Sequence, residues 1–228
     1  MNKNALAVLV LILAAPAGAQ EYRRQQAQAA EEAYLAMQAA ARDHAAAEYS
    51  GIRGRALDVT IDAMAGGPVA AGRVLHYLDA HKTDVQFGTI SEPVGSGVVN
   101  GRAAVLISDA LYPQPPVYAA LIAAEAAKAM YADMPACAER DYMRLATASR
   151  VYAELGGDVN ASPTVDAEKA AGVCAMASLW TAGPVFAVEQ LARVNHVPSL
   201  AGSNAVVAEI FAAFAADEKA ALEKAIRR

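Results

Sequence analysis

The chain is poor in several things. It holds two cysteines, four histidines and one tryptophan among 228 residues. It has no cluster of lysine and arginine, no internal repeat and, after its first 15 residues, no long apolar run. Each shortage excludes something. A net charge of −5 without a basic patch gives no means of neutralising a row of phosphates, so nucleic acid is excluded as a partner. The lack of a second apolar run leaves no integral membrane segment in the mature protein. The histidines form no pair with zinc-ligand spacing. His76 and His81 are five apart, which places them on different sides of a helix, and His44 and His196 stand alone. Each is read as exposed or locally satisfied.

What is present begins with "MNKNALAVLVLILAAPAGAQ". Lys3 is followed by an apolar stretch from Ala5 to Ala15, and then by the small residues Ala17-Gly18-Ala19. That is the pattern of a secretory signal peptide cleaved near Ala19, and the apolar stretch is too short to span a bilayer. No Cys follows it to carry a lipid, and no arginine pair precedes it. The expected mature protein is exported, periplasmic or extracellular, keeps 209 of the 228 residues, and loses Lys3 so that its charge becomes −6. In such a compartment Cys137 and Cys174 permit one disulfide, closing a 37-residue loop between two helices. Two buried free thiols are the alternative.

The apolar fraction is 56%, but much of it is alanine, which favours helix and buries little area per residue. Residues 21–48 read as a long helix with a weak apolar stripe, broken at Ser50-Gly51. Shorter helices follow over 56–64, ended by Gly66-Gly67-Pro68, and over 70–80. The period then changes. "TDVQF", 83–87, alternates polar and apolar. In "VGSGVVNGRAAVLIS", 94–108, Asn100-Gly101 between two apolar runs predicts a two-residue hairpin turn. Residues 83–108 should therefore form a sheet of about three strands. Gly95-Ser96-Gly97, inside that strand pattern, reads as a bulge or turn rather than a phosphate loop. Five helices complete the chain, over 116–132, 139–155 with Gly156-Gly157 as its cap, 165–180, 184–195 and 204–226 with Ser203 or Asn204 as N-cap. Trp180, Phe186, Phe211 and Phe214 are spaced to pack in the core or between helices.

The stretch "YAALIAAEAAKAMYADM", 118–134, carries the chemical question. Val117, Leu121 and Lys128 share a helix stripe, and Glu125 lies four beyond Leu121. The two charges fall on or beside the inward face, where a charge must be paired or open to a cleft. The bland alternative is an i, i+3 pair on a solvated surface, worth about 0.2–0.5 kcal/mol.

A small sheet ending in a hairpin, then a helix, then a helix folding back, resembles the zincin metallopeptidases. The stretch 104–130, "AVLISDALYPQPPVYAALIAAEAAKAM", looks like the hairpin strand and active-site helix of exported bacterial zincin-like proteins. The zincin motif is His-Glu-x-x-His, in which two histidines bind zinc and the glutamate activates the metal-bound water. Here the matching residues are Ala124, Glu125, Ala126, Ala127 and Lys128. The resemblance implies that Glu125 holds the vestigial general-base position and that Ala124 and Lys128 hold former ligand positions. It implies Glu139 or Asp141 as the third ligand position. It implies no bound metal and no cofactor, with the Lys128 ammonium filling the charge vacancy by pairing with Glu125 and with Glu139 or Asp141. The fold class expected is α+β, helix-dominated, with a small three-stranded sheet, a zincin-like helix pair and C-terminal helices. The expected organisation is a signal peptide, 1–19; an N-terminal helical segment, 20–66; the zincin-like core, 67–157; and helices packed on it, 158–228. The expected function is a non-catalytic metallopeptidase-like protein that binds an extended peptide or a protein. The alternative is a helical exported structural or interaction protein that was never an enzyme.

Overall fold

The computed structural model describes residues 51–66, 69–111, 114–160 and 171–226. The expectations for the signal peptide, its cleavage near Ala19, the helix over 21–48 and His44 fall outside these residues. The described chain from Ile52 onward belongs to one compact unit. It is α+β and helix-dominated, with one three-stranded sheet.

The described chain opens in helix (α1, residues 51–65), longer than the 56–64 expected. A glycine at 51 lowers helix propensity without forbidding helix. Leu57, Thr60 and Met64, spaced by three and four, bury the inner face. The next helix (α2, Val69–Ala80) buries Ala70, Ala71, Val74 and Leu78. Its first N–H groups have no partner within the helix. The Glu154 carboxylate supplies one, accepting from Ala70 N at 3.0 Å and Ala71 N at 3.2 Å.

The sheet follows in the order β1-β3-β2, with β1 (Asp84–Gly88), β2 (Val94–Val99) and β3 (Arg102–Ser108). β1 runs parallel to β3 and β2 antiparallel to it. Asn100 and Gly101, with φ of 52° and 77°, form the two-residue turn that their sequence predicts. Val85, Phe87, Val105 and Ile107 share one face by register, and that face packs on the next helix (α3, Pro115–Met130). Phe87 meets Tyr118 edge-on at 5.6 Å.

α3 is buried on nearly every side. Residues 117–123 and 125–127 are all inaccessible, so its apolar content is a central packing element and not one stripe. Its many alanines let the following helix (α4, Ala138–Glu154) lie close against it. Gly156, at φ 89°, ends α4, with Gly157 N–H donating to Tyr152 O at 2.8 Å and Gly156 N–H to Ala153 O at 3.2 Å. Three helices pack on α4: α5 (Ala171–Thr181), α6 (Pro184–Asn195) and α7 (Ala205–Ile226). Asn204 caps α7, its Oδ1 accepting from Val206 N and Val207 N at 3.1 and 3.2 Å. Trp180 is buried, and Phe211 and Phe214 lie edge-on to Tyr142. Phe186, expected among these packing residues, is instead exposed on α6.

The expected disulfide is not formed: Cys137 and Cys174 are both buried free thiols. Cys137 starts α4, its Sγ accepting from Arg140 N–H, in a cluster with Met134, Met143 and Val207. Cys174 lies beside Tyr152 near the other end of the same helix. Fifteen residues of helix separate those two ends by roughly 22 Å at about 1.5 Å per residue. A disulfide needs Cα atoms within about 7 Å. Among the described residues no helix is long and apolar enough to cross a membrane.

Candidate functional site

Glu125 points from α3 towards the outer strand of the hairpin. Ser96 Oγ on β2 donates to Glu125 Oε1 at 2.5 Å, and the Lys128 ammonium pairs with Oε2. The Glu125 side chain is 4% exposed and that of Lys128 is 49% exposed. The pair is therefore not a solvated surface pair: its acid is inside and its base is at the rim. One carboxylate oxygen accepts from a hydroxyl and the other faces an ammonium. Ala124, partly exposed, precedes Glu125, and Lys128 is one turn further along the same helix face.

Gly95-Ser96-Gly97 is not a bulge or turn. The pairing of β2 with β3 runs unbroken from Val94 to Val99. Gly97 makes room for Leu106 on the opposite face: a Cβ there would sit 2.9 Å from Leu106 Cδ1. Ser96 alternates to the helix side with Val105 and Ile107, and so reaches Glu125. Its role is the part of the site that residue types alone do not show. The signal that finds it is parity. Asn100-Gly101 sets Val99 opposite Arg102, and counting back by pairs brings Ser96 opposite the buried Val105.

β2 is an outer strand among the described residues. Ser108 N–H donates to Pro93 O at 3.0 Å, so 93/108 is a hydrogen-bonded pair. Alternation along the register makes 95/106, 97/104 and 99/102 the others. The backbone N–H and C=O groups of Val94, Ser96 and Val98 then face away from the sheet. Val98 is also 74% exposed.

The two acids proposed as a third ligand are engaged elsewhere. Glu139 is fully buried and accepts from Ser199 Oγ at 2.5 Å, Leu200 N at 3.0 Å and Ala201 N at 2.9 Å. Burial alone would raise its pKa, but these donors outweigh it and hold the carboxyl below the usual glutamate range. Asp141 accepts from Asn195 Nδ2 at 2.7 Å and pairs with Arg144. Both therefore fasten α4 to the end of α6 and the turn after it, and the ion pair of Lys128 is with Glu125 rather than with either of them.

The histidines are placed as follows. His76 and His81 line one open groove with Arg73, Tyr77 and Met130, because His81 lies past the end of α2 where the helical count no longer applies. The His81 ring stacks on Tyr77, and Nδ1 lies 2.8 Å from Tyr77 O. His196 closes α6 in the left-handed conformation. Among the described residues no group of three or more His, Cys, Asp or Glu stands where it could hold a metal ion.

Compared with protein-family models, with curated proteins and with solved structures, the chain matches none of them.

Proposed function

We propose that the chain is an exported, zincin-like protein without peptidase activity, whose hairpin edge binds an extended peptide segment of a partner. The observation that carries this reading is the pairing of Ser96, Glu125 and Lys128 beneath a strand that is outermost among the described residues and turns alternate backbone groups away from the sheet. In the zincin arrangement the motif glutamate lies on the helix that follows the hairpin. Here Glu125 occupies that helix and meets the hairpin directly. The two histidine positions hold an alanine, which has no donor atom to offer zinc, and a lysine, which is paired with Glu125. The lysine balances the carboxylate where a metal would have done so. What persists is the recognition half of the architecture. Val94, Ser96 and Val98 offer alternate donors and acceptors to a strand laid alongside, the chemistry of strand addition.

The test is selection of extended heptapeptides from a displayed random library, run against the native chain and against Val98→Pro. Proline at 98 removes one outward N–H without touching the bonds to β3. The expected result is a set of peptides enriched on the native chain and at least tenfold weaker on the variant. Equal enrichment on both overturns the reading. Millimolar zinc with detection of peptide cleavage would overturn its non-catalytic part.

A further inference from the structure

The face of the sheet turned away from α3 is bare beside its outer strand. The register puts Gly95 and Gly97 of β2, Leu106 of β3 and Gly88 of β1 on that face. Leu106 lies between bare positions. A Cβ on Gly97 would come within 2.9 Å of its Cδ1, and one on Gly88 within 3.6 Å of its side chain. Ile90 leans in beside Gly95, its Cδ1 3.7 Å from where a Cβ would stand. Leu106 and Ile90 are partly exposed and belong to neither buried cluster. Two apolar side chains are thus left at the surface, and no side chain of Gly95 or Gly97 screens them from the open edge.

A glycine on an edge strand offers no side chain to a cross-strand neighbour. An aromatic ring on that neighbour is large enough to lie across the glycine and pack on what stands behind it. Here that is Leu106 at Gly97 and Ile90 at Gly95. Side chains alternate along a strand, so a segment laid on β2 can place residues two apart beside the two glycines. The residue between them then points to the helix side, beside Ser96. The charge a newcomer meets there is basic. Glu125 is 4% exposed, with one oxygen under the Ser96 hydroxyl and the other under the Lys128 ammonium, whereas Lys128 is 49% exposed. An ammonium has three N–H donors, so Lys128 can serve Glu125 and a second carboxylate together.

On the strand-addition reading of β2, on which this rests, we propose that the segment taken up reads aromatic–acid–aromatic. The rings lie across Gly95 and Gly97 against Ile90 and Leu106, and the acid lies beside Ser96 and Lys128. The pattern is the same in either direction, so it holds for parallel and antiparallel addition.

The test measures fluorescence anisotropy of three heptapeptides that carry an N-terminal fluorophore. The first is Thr-Thr-Phe-Glu-Phe-Thr-Thr; the second has alanine for both phenylalanines; the third has lysine for glutamate. The full mature chain should bind the first at least tenfold more tightly than either of the others. Leu106→Ala should cut the advantage of phenylalanine over alanine to under threefold. Lys128→Gln should do the same to the advantage of glutamate over lysine. Val98→Pro should weaken whatever binds. Equal affinity for the three peptides, lost in Val98→Pro, overturns the pattern and leaves strand addition standing. A preference for the first peptide that Val98→Pro does not weaken overturns both. Failure of all three to bind overturns the pattern, and so does a preference unchanged in both Leu106→Ala and Lys128→Gln.

Discussion

Replacing Glu139 by glutamine tests its part in fastening the α6–α7 connection to α4. Glu139 Oε1 accepts from Ser199 Oγ, Leu200 N and Ala201 N, all within 3.1 Å. Glutamine keeps an acceptor there and removes the charge. A hydrogen bond to a charged group contributes about 1.5–3 kcal/mol against about 0.5–1.5 for a neutral one, so three bonds lose roughly 3 kcal/mol together. Relief from burying a charge offsets part of this, and the net loss should be about 1–3 kcal/mol. The sign with pH follows from the depressed carboxyl. In the unfolded chain it titrates near 4.3, and in the folded chain it titrates lower. Its contribution is therefore complete above the unfolded value and disappears as pH falls through the folded one. Urea unfolding of native chain and Glu139→Gln should show a constant stability gap from pH 7 down to about 5, closing progressively below that. A gap that stays flat through pH 3, or that widens on acidification, refutes the reasoning.

Three further outcomes follow from named contacts. In a double-mutant cycle with Lys128→Met and Glu125→Gln, the pair should show a coupling of about 0.5–1.5 kcal/mol, discounted from the buried-pair range because the ammonium is half exposed; zero coupling by urea unfolding would contradict the geometry. Without reductant, denatured protein should titrate two thiols per chain, Cys137 and Cys174, and its mass should not change on reduction; a mass shift of two hydrogens would show the bridge. Gly157→Ala places a Cβ about 2.4 Å from the Tyr152 ring and should destabilise by about 1–3 kcal/mol, where a change under 0.5 kcal/mol would mean the α4 terminus yields freely.

Local signals were the legible part of this fold. Asn100-Gly101 specifies its turn because few residue pairs accept two positive φ values. Gly156 and Asn204 mark helix ends for equally local reasons. Glu125 in α3 was legible as inward-facing from its place beside the Val117–Leu121 stripe, whereas Lys128, read on the same face, is about half exposed. What the sequence concealed was tertiary. Glu139 and Asp141 sit two residues apart in the first turn of α4, and nothing in that spacing says that both reach the segment between Asn195 and Ala201. Arg150, Glu154 and Glu218 form one cluster across 68 residues of chain, beyond any periodic pattern. The free thiols follow from the length of α4, which holds Cys137 and the neighbour of Cys174 at opposite ends.

The most direct measurement of the central claim is an amide-resolved map of a library-selected peptide on isotope-labelled chain. The amide signals of Val94, Ser96 and Val98 should shift together and become protected from exchange, and the Lys128 ammonium signal should move with them. Shifts confined to the α5–α7 surface, with those three amides unchanged, would contradict it.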